Sequence, residues 1–211
     1  IFMDFTQIVM MLAIFIPSLV LHEFAHAVTA TVLGDPTPRW EGRLTLNPLA
    51  HFDIFGALMI IITMVTGFGI GWARPVGVDP RNFKKPARDM VLVAIAGPLS
   101  NILLAVVFGL FLRFMMMSHY DISPGLAVFL PLGALINLSL AFFNLLPIPP
   151  LDGSRVLRYF LKGKAYNFYR QFESYGMVIL FGLVLVLPGL FRILIEIPTD
   201  YLFTLITGLS I

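Results

Sequence analysis

The chain has 211 residues, of which 58% are hydrophobic and 12% charged, and its mean hydropathy is +0.91. No ordinary soluble domain has that composition, and a formal net charge of +2 gives no reason to expect a nucleic-acid partner. The absence of cysteine excludes disulfides, thiolate metal sites and cysteine nucleophiles, so any metal must be held by His, Asp or Glu.

The first apolar run, Phe5 to Leu33, lacks a basic leading region and is too long for a cleaved signal peptide, so it reads as a retained transmembrane helix. Gly34, Pro36 and Pro38 end it. The alternating stretch within Arg39 to Pro48, centred on Trp40 to Leu46, predicts a small membrane-associated β-hairpin. Ile54 to Ile70 is shorter, apolar and interrupted by Gly56, Gly67 and Gly69. Further runs at Met90 to Met117, Leu126 to Leu146 and Phe172 to Leu187 each approach the roughly 20 residues that cross a bilayer. A last run, Leu190 to Ile211, is broken by Glu196, Pro198 and Asp200. The expected fold is therefore an all-α polytopic membrane protein of about 4 to 6 transmembrane helices, with the hairpin and one re-entrant segment.

Lys and Arg fix the orientation if loops rich in them stay cytoplasmic. Twelve of the 14 basic residues lie either between Arg39 and Arg88 or between Arg155 and Arg170. Both groups share one side only if Ile54 to Ile70 enters and leaves from the same face. That segment is accordingly expected to be re-entrant or interfacial.

His22-Glu23-Phe24-Ala25-His26 is an H-E-x-x-H sequence inside the first apolar run. At 3.6 residues per turn the two His project from one helix face, a spacing that suits two imidazoles on one zinc ion. Glu23, beside the first of them, can reach a metal-bound water as general base. A chance pattern, or pairing of these groups with Arg or backbone carbonyls, is the competing reading. Three ionisable groups in mid-span, each costing on the order of 2.5–3.5 kcal/mol, weigh against it.

A catalytic zinc usually takes three protein ligands, and the best third candidate is Asp152, in Asn144-Leu-Leu-Pro-Ile-Pro-Pro-Leu-Asp-Gly153. Its three prolines must unwind the chain near Leu146, and Gly153 permits a sharp bend beside the carboxylate. A plain helix terminus with a proline-rich turn is the alternative. His22 lies about 18 Å from the end of its helix at Gly34, at ~1.5 Å per residue, so the unwound stretch must dip inward for the two to meet.

His22 to His26, Gly97-Pro-Leu-Ser-Asn101 and Asn144 to Gly153, in that order, resemble the site-2 protease family, which pairs H-E-x-x-H on one transmembrane helix with an N-x-x-P-x-P-x-L-D-G motif on a later one and has G-x-x-x-N between them. The resemblance spans roughly Phe5 to Arg158. It implies an intramembrane zinc metalloprotease that cuts transmembrane substrates in regulated intramembrane proteolysis. It also implies that His22, His26 and Asp152 bind zinc, that Glu23 activates water, and that Asn101 and Asn144 hold the substrate backbone or the oxyanion. For Asn101, hydrogen bonding between helices is the alternative.

The residues around His51, Asn47-Pro48-x-x-His51-x-Asp53, together with Gly71-Trp-Ala-Arg-Pro75, are similar to a minimal bacterial branch of the family that has no PDZ domain. His51 either approaches the site or is an ordinary loop residue, and His119 reads as a solvated loop residue. One integral-membrane metalloprotease domain, residues 1–211, is expected, with its catalytic core over about 5–158 and C-terminal helices over about 172–211. The expected partners are the lipid bilayer and membrane-protein substrates with a transmembrane segment. The expected location is a prokaryotic plasma membrane, active site toward the cytoplasm. Trp40 to Leu46 would offer an edge for a substrate strand. A prenyl-protein endopeptidase, a metal transporter and an inactive relative are the rival readings. The first typically takes a later Glu as ligand, and Glu41, Glu173 and Glu196 lie in no comparable motif. A transporter has no need for Glu23 beside paired ligands, and an inactive relative would usually have lost one of His22, Glu23, His26 and Asp152, none of which is missing.

Overall fold

The computed structural model of the protein describes residues 5–56, 58–60, 73–118 and 121–209. Three helices, α1 (Phe5–Val32), α3 (Pro86–Met117) and α4 (Pro124–Asn144), are long and apolar enough to cross a membrane. Each carries an internal proline, respectively Pro17, Pro98 and Pro131. A proline in a helix removes one rung of the backbone ladder, which within a bilayer is tolerable where packing or side chains re-satisfy it.

α1 stops where expected. Gly34 takes φ of +109°, which an L side chain resists, and the Asp35 N–H closes the end on the Ala30 carbonyl at 2.9 Å. The expected hairpin over Arg39–Pro48 is not there. Thr37–Trp40 instead forms a short helix, α2, followed by turns and a 3-10 turn at Pro48–His51, and no strand occurs among the described residues. The physical reason is local. Pro36 and Pro38 preset helical φ, Gly42 turns at φ of +67°, and the Arg43 side chain folds inward to donate to the Ala50 carbonyl.

The chain is helical at 54–56 and 58–60, but most of the Ile54 to Ile70 segment lies outside the described residues, as does His119. α4 ends at Asn144, and after seven intervening residues α5 (Asp152–Phe160) begins, followed by α6 (Gly163–Phe172), α7 (Gly176–Val186), α8 (Pro188–Phe191) and α9 (Ile197–Thr207). The runs expected as two separate C-terminal helices form a pair bent by 97° at the break before Pro188. The described residues thus supply three candidate spans, or four if that pair counts as one.

α3 is the hub of the bundle, packing against α1, α4, α5 and α9. Small residues allow the close approach: Ala105 on α3 and Ala134 on α4 are fully buried beside Leu138 and Phe203. A second cluster, Leu146, Leu151, Leu180, Leu183 and Ile195, seats the unwound Leu145–Leu151 stretch on α7. The outward faces stay apolar, with Leu103, Val107 and Phe114 of α3 more than half exposed, as a lipid-facing helix requires.

Candidate metal centre

His22 and His26 stand one turn apart on α1, buried, with ring centroids 4.7 Å apart and planes nearly perpendicular at 87°. Their Nε2 atoms are 3.1 Å from each other. The Asp152 Oδ2 lies 3.1 Å from the first and 3.2 Å from the second. The unwound stretch after α4 does dip inward. Gly153 is what lets it, since a Cβ there would sit 2.1 Å from the Leu145 carbonyl oxygen.

The other ring nitrogens decide what this cluster can hold. His22 Nδ1 donates to the Asn101 Oδ1 at 2.6 Å, and His26 Nδ1 donates to the Val93 carbonyl at 2.7 Å. A carbonyl can only accept, so in each neutral ring the proton sits on Nδ1 and Nε2 is a bare lone pair. Two such lone pairs and a carboxylate oxygen, all within 3.2 Å, repel unless a cation lies between them. The spacing also approaches the ~3.3–3.4 Å edge of a tetrahedron with ~2.0–2.1 Å bonds, so the donor set fits zinc in kind and in dimension.

Space for the cluster comes from Gly97 on α3. A Cβ built there would lie 2.5 Å from His26 Nε2 and 2.6 Å from His22 Nε2, against both imidazole donor atoms. Gly97 and Asn101 are one turn apart, Gly97 facing both imidazoles and Asn101 bonding His22, which gives the G-x-x-x-N spacing a physical reason. One residue supplies room and the other a hydrogen-bond acceptor.

A cavity of about 440 Å³ opens onto the cluster, with His22, Glu23, His26, Asn144, Asp152 and Arg155 as its polar lining. The rest of the wall is apolar and includes Leu19, Leu140, Phe143, Met177 and Leu180. Glu23 is buried and accepts from the Val76 N–H at 3.1 Å. That bond occupies Oε2 and leaves Oε1 available. Val76 belongs to an extended strap, Ala73 to Asp79, of which three further N–H groups are pinned: Arg74 to the His51 carbonyl at 3.0 Å, Gly77 to Glu41 at 3.2 Å and Asp79 to Asp35 at 2.8 Å.

Asn144 stands on the wall, one N–H spent on the Leu140 carbonyl at 2.9 Å. Asn101, expected against the substrate or oxyanion, is 0% exposed and lies behind His22, off the cavity wall, its own N–H groups directed at Asn137 and Ser18. His51 is buried too and off the wall. It bonds the Thr45 carbonyl at 2.9 Å, and its backbone carbonyl holds the strap. Four residues near the site were assigned no site role from sequence. Arg155 was counted only among the basic residues, and Val76 acts through its backbone, which no sequence pattern reveals. Ser18 and Asn137, polar groups in apolar runs, were legible as anomalies at membrane depth.

The profile described as Peptidase family M50 matches residues 114–187. YwhC of Bacillus subtilis is 43% identical over 169 residues, covering 78% of this chain and 74% of the relative. Rip2 of Mycolicibacterium smegmatis is 34% identical over 193 residues, covering 90% and 71%, and Rip2 of Mycobacterium tuberculosis is 31% identical over 177 residues, covering 84% and 67%. All three carry provisional names as zinc metalloproteases. No solved structure matches the chain significantly.

Proposed function

The chain belongs to the site-2 protease family of membrane zinc metallopeptidases, peptidase family M50, and from that premise we propose that His22, His26 and Asp152 hold its zinc and that Glu23 is its general base. The observation that carries this reading is the meeting of two bare imidazole nitrogens and one carboxylate oxygen within 3.2 Å at the floor of the cavity. Zinc at that point supplies a Lewis acid that polarises the scissile carbonyl and acidifies water toward a pKa of about 7.

The chain's own residues do the rest. The Val76 N–H holds Glu23 by Oε2, so Oε1 takes the proton from the attacking water and later returns it to the leaving amine nitrogen. Asn144, and Arg155 with its five N–H donors, face the carbonyls of the bound peptide from the wall. The apolar lining excludes bulk water and strengthens each of these contacts.

The substrate is a membrane protein whose transmembrane segment unwinds locally, because a helix hides its peptide bonds within its own ladder. A largely apolar cavity beside spanning helices suits such a segment. The setting is regulated intramembrane proteolysis at a prokaryotic plasma membrane, with the site toward the cytoplasm, as the distribution of Lys and Arg supports.

The test is cleavage of a panel of single-span substrates by detergent-purified protein, wild type beside Glu23→Gln, with zinc quantified in both. Chelator-sensitive cleavage that Glu23→Gln lowers by at least ~10³-fold, zinc staying near one per chain, is expected. Cleavage by Glu23→Gln at the wild-type rate would remove Glu23 from the reaction.

A further inference from the structure

Behind His22 lies a hydrogen-bonded chain that no water reaches: Ser18, Asn101 and Asn137 are 2%, 0% and 0% exposed. It joins α1, α3 and α4 at their mutual contact. We propose that Asn137 and Ser18, acting through Asn101, are positioning residues that lock His22 in the Nδ1–H tautomer and so keep its Nε2 bare for the metal. This rests on the reading of His22 as a zinc ligand.

An asparagine side chain can be turned end for end, exchanging donor and acceptor, so Asn101 fixes the His22 tautomer only if Asn101 is itself fixed. Three backbone carbonyls, which accept and never donate, provide that. The Asn137 Nδ2 donates to the Gly133 carbonyl at 2.9 Å, which turns the Asn137 Oδ1 toward Asn101. The Ser18 hydroxyl spends its single proton on the Ile14 carbonyl at 2.7 Å and therefore accepts from the Asn137 Nδ2, also at 2.9 Å. Asn101 then has two acceptors before its Nδ2, the Asn137 Oδ1 at 3.0 Å and the Ser18 carbonyl at 3.4 Å.

Only the Asn101 Oδ1 is left for His22, and it can only accept, so the ring proton must be on Nδ1. Turning any member over would set acceptor against acceptor in a dry interior, where an unmatched polar group is costly. His26 needs no such relay, since its Nδ1 meets a backbone carbonyl directly.

The experiment is a double-mutant cycle read by zinc affinity in chelator competition, on full-length protein in detergent. Asn137→Leu is expected to weaken zinc binding about 10–100-fold, the usual cost of losing an outer hydrogen-bond partner of a ligand, and Ser18→Ala by a smaller factor in the same direction. Asp at position 101 accepts from His22 whichever way it turns. In the Asn101→Asp background, Asn137→Leu should therefore cost less than about threefold. Long-range proton–nitrogen spectra of histidine-labelled, metal-free protein should show His22 wholly as the Nδ1–H form in wild type and as a mixture in Asn137→Leu. An equal loss of affinity in both backgrounds, with the tautomer unchanged, would mean that Asn137 acts through packing alone and would overturn the relay. Failure of wild type to bind zinc would instead overturn the ligand reading on which the relay rests.

Discussion

Gly97 illustrates how tightly the centre is built. A Cβ at that position would fall 2.5 Å from His26 Nε2, closer than any real contact, and both imidazoles are tethered at Nδ1 and cannot swing aside. Gly97→Ala should therefore displace the two imidazoles and, if they hold the metal as proposed, weaken zinc binding by roughly 1–3 kcal/mol, about 5- to 150-fold, with little change in helix content. Zinc titration against circular dichroism checks this, and wild-type affinity in the alanine variant would contradict it. The same residue shows what a sequence can convey. His22, Glu23, His26 and Asp152 were legible because charged and metal-binding side chains in apolar runs demand a reason. The space that Gly97 leaves empty was not, since a glycine within a helix gives no hint of what approaches it.

Between the helices, the strap from Ala73 to Asp79 holds the most functional detail, and while its extended course is legible in the sequence, its contacts are not. Its contribution is made through backbone N–H groups, and the side chains that receive them, Glu23, Glu41 and Asp35, are distant in sequence. The expected hairpin at Arg39 to Pro48 failed for a related reason. The alternation of Trp40 to Leu46 has the right period for a strand, but prolines on one side and Gly42 in a left-handed turn bend it into a helical turn and loop. The helix ends, by contrast, lay within a few residues of expectation for α1, α3 and α4, where proline or glycine stops an apolar run.

Asp35 holds the far end of the strap through the Asp79 N–H and also takes hydrogen bonds from Thr37, through both backbone N–H and hydroxyl, and from the Asn82 amide. Burial pushes its carboxyl up, but these four donors outweigh that and hold it below the ordinary range. A depressed folded-state value means that its stabilisation is complete above the unfolded value of about 3.9 and is lost as pH falls through the folded one. Asp35→Asn should thus lower the melting temperature by a few degrees (~2–4 °C) at pH 7, and the gap to wild type should narrow as pH falls below about 4 and close below the depressed folded-state value. A gap that is constant with pH would contradict this assignment.

At the scale of the whole molecule, the site exists because α1, α3 and the unwound end of α4 converge. α1 brings two imidazoles, α3 the space and an acceptor, and the Pro-rich turn the carboxylate. Apolar composition announced the spanning helices, while the 97° bend before Pro188 depends on packing that no run of hydropathy encodes. The proposed orientation can be checked directly, because the chain has no cysteine of its own. Single cysteines at Lys84 and at Lys164 should both react with an impermeant thiol reagent only from the cytoplasmic side; labelling from opposite sides would break the topology that the basic residues imply.

The most direct test of the centre is X-ray absorption at the zinc edge on purified protein, beside Asp152→Ala. The account predicts one zinc per chain with two imidazole nitrogens and oxygen ligands at about 2.0–2.1 Å in wild type, and loss of one oxygen together with much of the affinity in Asp152→Ala. A spectrum unchanged by Asp152→Ala, or one fitting a single imidazole, would contradict the three-residue site.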